Sequence, residues 1–145
     1  MAEVAFHFNV DDKLGYACRL LRKAWRGGRR CMVVLDGADV PALDQQLWTF
    51  SAGDFLPHAR VGAAAATVRH SPILLGPHID PAWPADVLVN LSAAVPEGVQ
   101  AFERVVEVVS TDPQDRQLAR QRWRFYAERG DQLVRHDLAA AGSEG

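Results

Sequence analysis

The five residues Cys31-Met32-Val33-Val34-Leu35 are apolar at every position, with Arg29-Arg30 before them and Asp36-Gly37 after. A strand that is apolar on both faces has to be covered on both, as a central strand between two layers of helices is. This run predicts a layered α/β domain, and the flanking segments agree. Residues 4–8 alternate Val4, Phe6 and Phe8 with Ala5 and His7, the period of a strand. Asn9, Asp11 and Asp12 supply caps for a helix running to about Arg26, where Leu14, Ala17, Cys18, Leu21 and Trp25 recur at three- and four-residue spacings and Gly27-Gly28 ends the pattern. A second helix is predicted over 40–48, capped by Asp39 with Pro41 in its first turn. Further on, the pattern predicts an ordered turn over 51–58, a mobile small-residue loop over 62–67, and strands over 73–75 and 87–91 separated by the proline-rich 76–84. A last strand over 104–109 precedes a helix over 113–129. Strands alternating with helices imply one three-layer domain with a mainly parallel sheet, occupying residues 1–138, with 139–145 a frayed tail.

A chain of 145 residues that is 48% hydrophobic and 23% charged can bury roughly two thirds of the surface its unfolded form exposes. It needs neither metal nor disulfide to hold its core. Cys18 and Cys31 are expected to be reduced, buried thiols, and without CxxC or clustered histidines no metal is expected. Sixteen Lys and Arg against eighteen Asp and Glu argue against whole-molecule attraction to nucleic acid or an anionic membrane, so any basic site must be local. No apolar stretch approaches the roughly 20 residues that span a bilayer, and the first residues lack a signal peptide's apolar segment, which predicts a cytoplasmic protein.

Enzyme chemistry finds little support. The first strand leads into Asn9-Val10-Asp11-Asp12, whose carboxylates would repel a phosphate where a glycine cradle would hold it, and Gly27-Gly28 reads as a helix terminus. Ser71 and Ser92 lack the context of an activated nucleophile, and His58 is expected to bond to the backbone. No cofactor is expected. A small nucleotide- or phosphate-handling α/β enzyme remains the alternative, carried by the order of elements alone.

The last helix carries the strongest binding signal. On a wheel of about 100° per residue, Arg116, Arg120, Trp123 and Arg124 fall within about 100° of one another, with Leu118 and Phe125 opposite and expected in the core. Such a face is either a solvated charged surface with Trp123 flat against neighbouring stems, or a site for an acidic peptide with an apolar side chain or for a nucleic-acid strand. The net charge favours the peptide. A nucleic-acid groove would need a longer track, which Lys13, Arg19, Arg22, Lys23, Arg26, Arg29 and Arg30 could supply if they shared that surface. A second candidate is Leu47-Trp48-Thr49-Phe50 with Phe55-Leu56-Pro57, either core or, if Trp48 and Phe55 face out, an apolar interface patch.

Over nearly its whole length the chain resembles the chi subunit of the bacterial DNA polymerase III holoenzyme. The resemblance rests on Cys18-Arg19-Leu20 through Trp25, on Leu47-Trp48-Thr49-Phe50 with Phe55-Leu56-Pro57-His58, on Val87 through Ser92 and Phe102 through Val109, and on Ala119-Arg120-Gln121-Arg122-Trp123-Arg124-Phe125-Tyr126 with Gly130. It implies a Rossmann-like domain without enzymatic activity, a clamp-loader accessory that grips the acidic C-terminal tail of single-stranded DNA-binding protein. Carried over by motif, Arg120, Trp123 and Arg124 would line the tail pocket beside Arg116. Trp123 and Arg124 stand where the family often has tyrosine and lysine. The resemblance also places the psi subunit, or a helicase competing for the same surface, against Trp48, Phe55 and Leu56. No direct high-affinity DNA binding and no membrane contact are expected.

Overall fold

The structure, a computed structural model, describes residues 2–49 and 56–139. In chain order its elements are β1 (Glu3–Val10), α1 (Lys13–Arg26), β2 (Cys31–Val34), α2 (Val40–Thr49), β3 (Ala59–Arg60), α3 (Ala65–His70), β4 (Ile73–Gly76), β5 (Val87–Asn90), β6 (Arg104–Ser110), α4 (Pro113–Arg129) and β7 (Gln132–Asp137). The strands form one all-parallel sheet in the order β3-β4-β2-β5-β6-β1-β7.

Side-chain alternation sorts the core into two layers. Cys31, Val33 and Leu35 face one way, onto Ala17, Cys18 and Leu21 of α1 and Leu43 and Leu47 of α2. Met32 and Val34 face the other way, in the layer that holds Val4, Phe6, Val105 and Val109 with Ala119 and Tyr126 of α4. The all-apolar run is thus an inner strand, hydrogen bonded to β4 and β5, in a three-layer Rossmann-like domain. Helix ends follow local chemistry. Asp12 caps α1 by accepting from the Gly15 N–H at 3.1 Å, and Asp112 caps α4 from the Gln114 N–H at 2.9 Å with Pro113 in the first turn. Gly130 closes α4 at φ 86°, a conformation a side chain would strain.

The sequence reading is corrected at four places, the first being the two-residue edge strand β3, which it did not expect. The loop expected over 62–67 instead enters α3 at Ala65, and Trp83 Nε1 donates to the Val68 carbonyl at 2.9 Å, holding that helix to the proline-rich segment. A seventh strand follows α4. β7 pairs only with β1, with His136 opposite His7, and an edge strand of this kind needs few apolar residues. Leu118 is only half-buried and Phe125 is 44% exposed. The buried face of α4 is Ala119, Arg122 and Tyr126, about 80° round the helix from the expected one. Residues 140–145 of the expected tail, and 51–55 of the expected turn, lie outside the described residues.

Cys18 and Cys31 are free and buried. Burial pushes their thiols up to about 11 and about 12, so neither is a thiolate near neutral pH.

Candidate anion-binding cleft beneath the last helix

β6 carries one carboxylate among valines, Glu107, and it is completely buried. It accepts from Arg122 Nε at 2.8 Å, from the Tyr126 hydroxyl at 2.7 Å and from Asn90 Nδ2 at 3.0 and 3.2 Å, while Arg122 Nη1 donates to the Ala93 carbonyl at 2.8 Å. Burial pushes the Glu107 carboxyl above the ordinary carboxylate range, against the opposing pull of the Arg122 guanidinium and of hydrogen bonds from Asn90, Tyr126 and Arg122. The Tyr126 hydroxyl is raised as well, first by burial and then by Glu107. Because rotating α4 would strip the buried Glu107 of the Arg122 and Tyr126 donors, these bonds hold α4 at one rotation over the sheet. The N-terminal end of α4 is tied separately. Asp115 accepts from Lys13 Nζ at 3.0 Å, from the Ser110 N–H at 2.8 Å and from the Ser110 hydroxyl at 2.9 Å.

With Arg122 turned inward, Arg116, Ala119, Arg120 and Trp123 face a cleft of about 370 Å³ closed on its other sides by Phe6, Phe8, Val109 and Arg135. Trp123 is half-buried and meets Phe6 edge to face at 5.1 Å between ring centroids. Arg135, from β7, lies over the Phe8 ring at 5.1 Å. Arg116 and Arg120 are exposed, and among the described residues neither has a carboxylate partner. An aromatic floor rimmed by three guanidiniums can receive an apolar side chain and a carboxylate or phosphate together.

Arg116, Arg120 and Trp123 are therefore brought together as the helix wheel requires. Arg124 is exposed and does not line the cleft. The lining residues contributed by the strands, Phe6, Phe8, Val109 and Arg135, escaped the sequence reading, as did the buried Glu107. Phe6 and Phe8 had a signal, since their two-residue spacing puts both on one strand face. Arg135 had none, because its strand was not recognised. Glu107 was legible as a lone carboxylate in a run covered on both sides, a position that demands a buried partner.

Within the second candidate patch, Trp48 and Leu56 are both described, and they part company. Trp48 is 52% exposed, its ring 4.9 Å from that of His58. Leu56 is buried in the α1–α2 layer, because the chain re-enters the core there, and offers no surface to a partner. Phe55 lies outside the described residues. His58 bonds the Leu56 carbonyl through Nδ1 at 2.7 Å and Asp44 through Nε2 at 2.8 Å, a structural role in line with the backbone-bonded histidine expected. Ser71 and Ser92 donate to the Thr67 and Ala94 carbonyls at 2.7 and 3.0 Å. The basic residues of α1 do not lengthen the track on α4, since the two helices cover opposite faces of the sheet. Among the described residues, no group of three His, Cys, Asp or Glu could hold a metal ion and no helix is long and apolar enough to cross a membrane.

A sequence model of the family described as "DNA polymerase III chi subunit, HolC" matches residues 1–134. The DNA polymerase III subunit chi of Pseudomonas aeruginosa is 39% identical over 127 residues, covering 87% of each chain. That of Escherichia coli is 28% identical over 124 residues, covering 80% of this chain and 79% of the relative. With the all-parallel fold and an unbroken match across both the strand layer and the last helix, this chain belongs to the family of DNA polymerase III chi subunits, accessory subunits of DNA replication.

Proposed function

We propose that this chain is a non-catalytic adaptor that grips the acidic C-terminal tail of single-stranded DNA-binding protein in the α4 cleft. Through psi or an equivalent component it links that protein to the clamp loader. The observation that carries the reading is the cleft itself, in which Arg116, Arg120 and Arg135 surround Phe6, Phe8, Val109 and Trp123. An acidic chain end presents carboxylates beside a terminal apolar side chain. The apolar group enters against Trp123 and Phe6, where water is displaced from aromatic surface, and the carboxylates meet guanidiniums at the rim. Arg124, one turn beyond Arg120 and facing solvent, serves acidic residues further up the tail. Trp48, exposed on the opposite layer, is the contact for psi or for a helicase competing with it.

Fluorescence polarisation with a labelled tail peptide tests the reading. The wild-type chain binds, the Arg120→Glu variant loses binding while melting normally, and a peptide lacking its terminal apolar residue binds weakly. Equal affinity of the folded Arg120→Glu variant and the wild type would remove the cleft from the mechanism.

A further inference from the structure

The segment from Lys13 to Leu35 holds seven of the chain's sixteen Lys and Arg and none of its eighteen carboxylates. The rest of the chain is left with nine cations against eighteen anions, so this segment is basic within a chain that is otherwise acidic overall. Some of the seven cations are held by contacts within the fold. Lys13 pairs with Asp115, and Arg30 lies over Trp83 while donating to the Pro84 carbonyl. Arg19, Lys23, Arg26 and Arg29 are exposed. On a helix Arg19, Lys23 and Arg26 fall on one stripe, spaced by roughly 4.5–6 Å along the axis. Arg19 and Lys23 have no carboxylate partner among the described residues. Beside the stripe, toward the sheet edge, Arg19 lies over the Tyr16 ring, Tyr16 bonds His7, and the His7 ring meets that of the exposed His136 at a tilt, 4.6 Å between centroids.

We propose that this outer face of α1 is a second binding surface, separate from the α4 cleft, for the phosphodiester backbone of DNA. The chemistry distinguishes that ligand from an acidic protein. A protein interface wants an exposed apolar anchor inside its charged rim, whereas Leu14, Leu20, Ala24 and Trp25 of α1 are packed against the core. A phosphate polymer needs only evenly placed cations, which is what the stripe presents, and membership of a DNA polymerase subunit family puts DNA within reach. The contact is sequence-independent, weak at physiological salt, and on the opposite side of the sheet from the cleft. An adaptor built this way holds a protein tail on one face and the neighbouring strand on the other.

The test is binding of a labelled 30-nucleotide single strand, and of the matching duplex, to the full chain across a salt series. For about three phosphates contacted, log K should fall against log salt with a slope of about −2 for the single strand and about −3 for the duplex. The double variant Arg19→Glu/Lys23→Glu should lose at least tenfold in affinity, the charge-preserving Arg19→Lys/Lys23→Arg should retain it, and both should melt like the wild type. Arg120→Glu should lose the tail peptide and keep the oligonucleotide, so this surface and the cleft fail or stand independently. Unchanged oligonucleotide affinity in the folded charge-reversed variant overturns the proposal. So does binding that is insensitive to salt, or an α1 face that retains an acidic peptide and no oligonucleotide.

Discussion

Arg120 and Arg122 sit two residues apart on one helix and do opposite things. Arg122 is 2% exposed, paired with a wholly buried carboxylate, while Arg120 stands in water at the mouth of a cleft with no carboxylate partner among the described residues. The residue type is the same. What differs is the sheet beneath them: Glu107 lies under Arg122, and Phe6, Phe8 and Val109 lie beside Arg120. One guanidinium sets the rotation of the helix so that the other can be offered to a ligand, and stability and binding are thereby divided between them.

The sharpest way to break this division is Glu107→Ala. It strands Arg122 without its anion and leaves the Tyr126 hydroxyl and Asn90 amide short of an acceptor, at a cost of about 3–5 kcal/mol. Thermal melts should fall by roughly 10 °C. An unchanged melting temperature would mean that the buried pair does not hold α4. The complementary change, Arg120→Glu, should leave the melt within about 0.5 kcal/mol of wild type and weaken tail binding by roughly 10- to 100-fold in polarisation titrations.

β1 offers a smaller version of the same contrast, with Phe6 and Phe8 toward α4 and His7 on the other face against Tyr16 of α1. Burial, then His136 and Lys23, hold His7 down to about 4 from an ordinary 6.5. The unfolded chain takes up this proton first as pH drops. The stability tied to neutral His7 is therefore complete above about pH 6.5 and is lost progressively toward pH 4. Melting temperature should decline across that window, and His7→Gln should flatten the decline. The least effect belongs to Arg124→Glu, outside the cleft lining, where affinity should drop only about threefold because an exposed ion pair contributes under about 1 kcal/mol. A loss equal to that of Arg120→Glu would extend the binding face beyond the cleft.

Much of this was legible from residue order. Cys31 through Leu35 could only be an inner strand, and Asp12, Gly27 and the run from Pro113 to Arg129 marked helix ends that the structure places within a residue. Arg116, Arg120 and Trp123 could be grouped from spacing alone. The face of α4 that enters the core could not. A wheel assigns burial by apolarity, so it chose Leu118 and Phe125 and passed over an arginine whose desolvation is offset by a partner on another strand. β7 was missed for a related reason, since an edge strand packed on one side carries too few apolar residues to show a period. With it went Arg135, the third guanidinium of the cleft.

Local chemistry therefore determined which segments are helix and strand, that the sheet is parallel and covered on both faces, and that cations and an indole share one side of the last helix. These depend on side-chain periodicity and capping, which are written into neighbouring residues. Only the tertiary structure decided which arginine is core and which is surface, and that α1 and α4 present their basic residues on opposite sides of the sheet. Those outcomes depend on Glu107 meeting Arg122 and on Arg135 meeting Phe8, pairings between residues far apart in the chain that no local pattern encodes.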